Sequence, residues 1–259
     1  MKYLKLHPWN VSYKKAVEIQ ERLEKSIILK CAAKNFKYIA GADVSYLPAC
    51  PTSFWRVRNI QSGTRQNEIA GQACRRSSAG TKKSEMFYAS VVVFELKTME
   101  RVEAVTASGK VDFPYIPGLL SFRESPILLK AFAKIKSNPD VIILDAQGIA
   151  HPRGIGLASH IGLLLDKPSI GCAKTRLIGD YNEIGEEIGC YSHLTVQDKV
   201  VGAVLRTRKN VKPVFVSPGH KIDLNTSIDL VLKSCCGYRL PEPVRQAHNL
   251  VKKAATGKE

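Results

Sequence analysis

The sequence predicts an α/β protein in which a mixed sheet is flanked by helices. Three observations carry that expectation. Residues 89–97 and 102–110 are rich in β-branched side chains and alternate in part, as paired antiparallel strands do. VIILD (141–145) and PSIGCAK (168–174) are short and largely apolar, the pattern of strands buried on both faces. Around them lie segments whose apolar residues recur at helical spacing.

Taken in order, residues 11–34 place Ala16, Ile19, Leu23, Ile27, Ile28 and Cys31 at helical spacing, which predicts an N-terminal helix. KYIAGADVSY (37–46) reads as a strand ending before Pro48. Residues 47–86 then lose all period, and over 50–88 seven Lys and Arg oppose two Glu. That is the mark of a long basic loop or insertion, whether solvated or touching a ligand backbone. After the two strands, FPYIPG (113–118) is a loop stiffened by two prolines. SPILLKAFAKIK (125–136) predicts a helix with Pro126 in its first turn and Glu124 at its mouth. Residues 154–166 predict a helix between the two buried strands, 189–217 a β-hairpin region, and 225–236 and 243–254 two closing helices. A single domain over 1–259, with a basic insertion at about 47–86, is the expected organisation.

Thirty-nine Lys and Arg against 23 Asp and Glu give a formal charge of +16. Such a surplus attracts polyanions, nucleic acid first and acidic membrane second, or serves solubility alone. No run of 18 apolar residues is present, and MKYLKLHPWN lacks the apolar stretch of a signal peptide. The seven cysteines form no CxxC, which argues against a zinc ribbon and for reduced thiols, with Cys50 and Cys74 a conceivable pair. A cytoplasmic monomer without membrane contact is expected.

Carboxylates in apolar surroundings mark the chemistry. Asp43 interrupts an apolar strand and Asp145 ends another, where a charge is costly unless paired or bound to a cation. The carboxyl ends of strands in open α/β sheets are also where ligands collect. Glu124, Asp43 and Asp145 together would suit Mg²⁺, a hard cation that takes oxygen ligands. An acidic pocket in a basic protein fits metal-assisted phosphodiester hydrolysis, with Lys174 adding positive charge to the transition state. Taken singly, Glu124 serves as well as a helix cap, Asp145 as an Asx-turn and Lys174 as a surface lysine. Tyr115, stiff between Pro114 and Pro117, is either a wedge for a base stack or a ring packed under its own loop. His151, His220 and His248 lack metal-motif spacing, and no Walker A, GxSxG or GxGxxG pattern occurs.

Read in order, GADVSY, DFPYIPGLLSFRE (112–124), VIILDAQGIAHPRGIGLASHIG (141–162), PSIGCAKTRLIG (168–179), FVSPGHKID (215–223) and LPEPVRQAH (240–248) resemble the endonuclease V family. PYIPG with the downstream FRE is the most specific of these. The resemblance spans nearly the whole chain outside about 47–86. It implies a ribonuclease-H-like fold in which Asp43 and Asp145 bind Mg²⁺ or Mn²⁺ and Glu124 stands beside the ion. It implies His248 near the site, placing or protonating a group, and Lys174 among the catalytic residues. Pro114, Tyr115, Ile116, Pro117 and Gly118 would part the strands and, with Gln147, Gly148 and His151, contact the lesion. The implied activity is a nick at the second phosphodiester bond 3′ to hypoxanthine in DNA, leaving 3′-hydroxyl and 5′-phosphate. An endoribonuclease acting on inosine in RNA is the alternative, as is a binding module without turnover. Two departures stand out. Where the family block often reads Asp-Gly-His-Gly, this chain has Asp145-Ala146-Gln147-Gly148, and the 47–86 stretch is longer than in compact bacterial members.

Overall fold

A computed structural model describes residues 1–31, 35–47 and 85–257. The basic stretch therefore lies almost wholly outside the described residues, as do Cys50 and Cys74. In chain order the elements are α1 (Tyr13–Glu24), β1 (Tyr38–Leu47), β2 (Glu85–Glu95), β3 (Arg101–Val111), α2 (Leu120–Phe132), β4 (Val141–Leu144), α3 (Leu157–Leu165), β5 (Ser169–Ala173), β6 (Tyr191–Val196), β7 (Lys199–Leu205), β8 (Val214–His220), α4 (Leu224–Lys233) and α5 (Glu242–Thr256).

The strands form one eight-stranded sheet in the order β3-β2-β1-β4-β5-β8-β7-β6. β1, β4 and β5 are mutually parallel, and every other pairing is antiparallel. Successive side chains of the central strands feed two cores, because a strand alternates its faces. Ala40, Val91, Val93, Ile142 and Leu144 pack with α2 and α3, whereas Ile39, Val92, Val141 and Ile143 pack with α4 and α5. Both faces of β4 are thus apolar, which is why its sequence shows no alternation. A third cluster joins Ala16, Ile19 and Leu23 of α1 to Leu119, Phe122 and Ile155.

Several boundaries differ from the expected ones for local reasons. The N-terminal helix stops at Glu24, twelve residues long. Ile27, Ile28 and Leu29 form a continuous apolar run in a segment without regular secondary structure, and the Ile28 N–H donates to His220 Nδ1 at 3.3 Å. The helix expected from residue 125 begins at Leu120, so Pro126 lies in its interior and Glu124 in its first half rather than at its mouth. Burial of Leu119 and Phe122, both fully covered, outweighs the donor that proline denies the Phe122 carbonyl. α3 starts at Leu157 because Gly154 is left-handed, at φ +65, and Gly156 is extended. The hairpin region 189–217 contains β6 and β7 and opens into a third antiparallel strand, β8.

Candidate active site

The register of the parallel pair β1–β4 sets Ala42 against Leu144. One residue further along each strand come Asp43 and Asp145, so two separate apolar strands deliver carboxylates side by side. α5 supplies the third group. It crosses β1 at Gly41, where a side chain would stand 2.1 Å from the Pro243 carbonyl carbon. That close approach brings His248 over the strand, and its Nδ1 lies 2.6 Å from Asp43 Oδ2. Asp43, Asp145 and His248 each offer a ligand atom, and these atoms lie within 4.8 Å of one another.

Electrostatics in this corner follow from burial and crowded charge. Loss of hydration raises the Asp43 pKa; the His248 hydrogen bond opposes the rise and Asp145 adds to it. The Val44 N–H donates to Asp43 Oδ1 at 2.8 Å. Asp145 is paired with the Lys174 ammonium, carried at the end of β5. Glu124 is partly exposed as a residue, but its carboxyl is enclosed. Desolvation first, and then the charges of Asp43 and Asp145, push its pKa up to about 8 against the pull of Arg123. Glu124 thus faces the same charge cluster from α2 without belonging to the tight group of three. Such a set of oxygens around one point is unfavourable unless protons or a cation compensate it.

Beside Asp145 lies an open cleft of about 540 Å³ whose walls include Tyr115, Ile116, Pro117, Gly118, Gln147 and His151. Tyr115 is 66% exposed, so its ring does not pack beneath its own loop. Ile116 and Phe113 turn inward instead, against the cluster that holds α1. The Gln147 amide nitrogen donates to the Thr175 carbonyl at 3.0 Å, while its Oε1 is buried with no protein partner. Burial and the Arg153 charge lower the His151 pKa to about 4, against a hydrogen bond to the Gly118 backbone. The ring is therefore neutral, and its Nδ1 accepts from the Arg153 N–H at 3.2 Å. Gly148 sits behind the cleft, donating its N–H to Ser217 Oγ at 2.7 Å.

The sequence model of the family described as Endonuclease V matches residues 54–249. The Endonuclease V of Dictyoglomus thermophilum is 44% identical over 94% of this chain and 91% of its own length. That of Methanothrix thermoacetophila is 43% identical over 98% and 97%. The chain belongs to the endonuclease V family. The crystal structure of the Bacillus subtilis Endonuclease V superposes with a TM-score of 0.82 at 28% identity, covering 99% of this chain and 98% of the other. Among endonuclease V structures, that of Ciona intestinalis, in complex with a 24mer DNA containing an inosine followed by a ribo-adenosine, has a TM-score of 0.70 at 25% identity and covers 95% of this chain and 98% of the other. The ribonuclease-H-like fold expected from the sequence is the fold observed.

Endonuclease V is a metal-dependent nuclease family, and the acidic cluster of this member fits that chemistry. Sequence reading singled out neither Gln20 and Arg153, which hold the Gly118 carbonyl, nor Ser121 and Leu177, which line the cleft. For Gln20 a signal existed: it is a polar residue on the apolar face of α1, one turn on from Ala16. Leu177 and Ser121 carry none, since neither lies in a charged or periodic pattern. Among the described residues no helix is long and apolar enough to cross a membrane.

Proposed function

We propose that this chain is a Mg²⁺-dependent endonuclease of DNA repair, with Mn²⁺ able to substitute, that recognises hypoxanthine and cuts the second phosphodiester bond on its 3′ side. The observation that carries the reading is the convergence of Asp43, Asp145 and His248, from two strands and a helix, beside a cleft with an exposed tyrosine at its lip. Two carboxylates within one ion's reach, with an imidazole hydrogen-bonded to one of them, suit a divalent cation, and carboxylate oxygens favour Mg²⁺ or Mn²⁺. When bound, the ion supplies polarisation of the scissile phosphate and a water of lowered pKa.

The remaining steps fall to the chain itself. Asp43 and Asp145 would hold the cation, and Glu124 would face it from α2. Asp43 accepts a hydrogen bond from His248 Nδ1, which orients the ring and leaves Nε2 to take or return a proton. Lys174, paired with Asp145 in the resting protein, offers its ammonium to the charge that builds on phosphorus oxygens. Tyr115 and its flanking prolines part the strands, and the hypoxanthine swings into the cleft between the 114–118 loop and Gln147. Extrusion costs a few kcal/mol and least for a poorly paired base, which favours deaminated sites. The product is a nick with 3′-hydroxyl and 5′-phosphate ends.

A second reading, cleavage at inosine in RNA, has support from the Ciona intestinalis relative, whose DNA carries a ribo-adenosine after the inosine. The 2′-hydroxyl is the group that would decide between them. One experiment tests both: matched inosine and adenosine strands, in DNA and in RNA, with Mg²⁺ or excess chelator, and product ends mapped. Nicking of inosine DNA only with the cation supports the first reading. Preference for the RNA strand supports the second, and turnover in chelator overturns the metal mechanism.

A further inference from the structure

We infer that Gln20 and Arg153 are positioning residues that set the strand-parting loop against the cleft, so that α1 takes part in lesion recognition without touching nucleic acid. The inference rests on the reading of Tyr115 as a wedge. Gln20 is 1% exposed on α1, ahead of the residues 54–249 matched by the family model. Its Nε2 donates to the Gly118 carbonyl at 3.1 Å and lies 3.4 Å from that of Ile155. Its Oε1 accepts from Arg153 Nε at 2.6 Å, and Arg153 Nη2 donates to the same Gly118 carbonyl at 2.5 Å. One carbonyl at the end of the loop is thus gripped from two elements that also grip each other.

The local backbone makes the grip specific. Gly118 adopts φ +77, and a side chain there would stand 2.6 Å from Arg153 Nη2. The Leu119 N–H closes the turn onto the Ile116 carbonyl at 2.9 Å. At the other end of the loop Arg123 Nη1 donates to the Phe113 carbonyl at 3.0 Å. Pro114 and Pro117 stiffen the loop internally, but proline fixes only φ and says nothing of where the loop points. Prying bases apart demands a wedge that does not yield, since the unstacking cost falls on whatever holds it. The Gln20–Arg153 pair is that hold: it is a shared hydrogen-bond network in which each partner orders the other.

The test uses the full chain in Gln20→Leu, Arg153→Lys, the double variant and Tyr115→Ala. Affinity is measured for hypoxanthine and undamaged duplexes, kcat and KM separately, with 2-aminopurine beside the lesion to report unstacking. Arg153→Lys keeps the charge that attracts phosphate, so a change there reflects geometry. The expected result is a fall in lesion preference of about tenfold in each clamp variant, equivalent to roughly 1.4 kcal/mol. The double variant is expected to lose little more than either single one, the aminopurine signal to drop, and melting temperature and undamaged-duplex affinity to hold. Preference kept in both clamp variants but lost in Tyr115→Ala overturns the clamp. Loss that merely follows a lowered melting temperature overturns it too, by marking the pair as structural support. Preference kept in Tyr115→Ala overturns the wedge reading and the clamp with it.

Discussion

His248 Nδ1 and Asp43 Oδ2 stand 2.6 Å apart, although 205 residues separate them in the chain. The contact depends on Gly41, where α5 rests directly on the β1 backbone two residues before Asp43. In the proposed mechanism Asp43 therefore has two tasks, as a cation ligand and as the anchor of the imidazole. Asp43→Ala is expected to lower cleavage by at least about 10³-fold, while His248→Ala, which leaves both carboxylates, is expected to cost about 10²-fold. Single-turnover nicking with circular dichroism as the folding control checks the pair. Equal losses would remove the distinction between their roles.

In the proposed mechanism Glu124 would tie cation binding to a proton. Its pKa of about 8 means that the carboxyl is mostly protonated at pH 7, held so by burial and by the charges of Asp43 and Asp145. A divalent cation would reverse that balance, because ligands and neighbours of a metal deprotonate as it binds. Calorimetric titration with Mg²⁺ in buffers of different ionisation enthalpy is expected to show close to one proton released at pH 7, and none in Glu124→Gln. Affinity for the ion is expected to rise with pH up to about 8 and to flatten above it. Removal of the ion by chelator is expected to stop cleavage, and readdition to restore it.

Asp43 and Asp145 were legible because one charge interrupts the apolar IAGADVSY and the other ends VIILD, and the two together have no cheap joint explanation short of pairing or a cation. Both faces of the sheet were legible too, since apolar runs and alternation follow directly from burial. The start of α2 was hidden by Pro126: proline prefers a first turn, and only the packing of Leu119 and Phe122 on α1 extends the helix past it. The geometry around Gly118 was hidden for a different reason. Hydrogen bonds to a backbone carbonyl leave no sequence pattern at the accepting end, and at the donating end Gln20 is a single polar residue on an apolar stripe.

Tyr115 offers a test of specific against general binding. With the ring 66% exposed, replacing it by alanine removes stacking surface and almost no core. Base–aromatic stacking is worth about 1–3 kcal/mol, so Tyr115→Ala is expected to weaken binding to hypoxanthine duplex by about 5- to 150-fold. Binding to undamaged duplex is expected to change little. Fluorescence anisotropy on matched duplexes measures both, and an equal loss on the two would end the wedge reading.

Acid should unfold this protein in a window set chiefly by its buried imidazoles, of which His151 and His160 are shifted furthest and His220 in the same direction. His160 is fully buried against His7, Trp9 and Phe122, and burial, then the charge of His7, lowers its pKa to about 3. His151 is lowered to about 4. An unfolded histidine titrates near 6.5, so below that value the unfolded chain binds protons that the folded chain refuses. Stability from these groups is fully present above pH about 6.5 and is lost as pH falls, until about 4 for His151 and about 3 for His160. Glu124 works in the opposite sense. Raised to about 8, it makes the cation-free folded state bind the extra proton, and its contribution shrinks as pH rises from about 4.5 towards 8. Between pH about 4.5 and 6 the two histidines outweigh the one carboxyl, so stability is expected to rise with pH. His160→Phe keeps an aromatic ring in the cluster and removes one titrating group. Its pH slope is expected to be shallower by up to about 1.4 kcal/mol per pH unit, measured by urea unfolding at fixed intervals across that range. A slope unchanged by the substitution would mean that His160 accepts its proton in the folded state, and that the His7–His160 contact at 2.7 Å carries a shared charge.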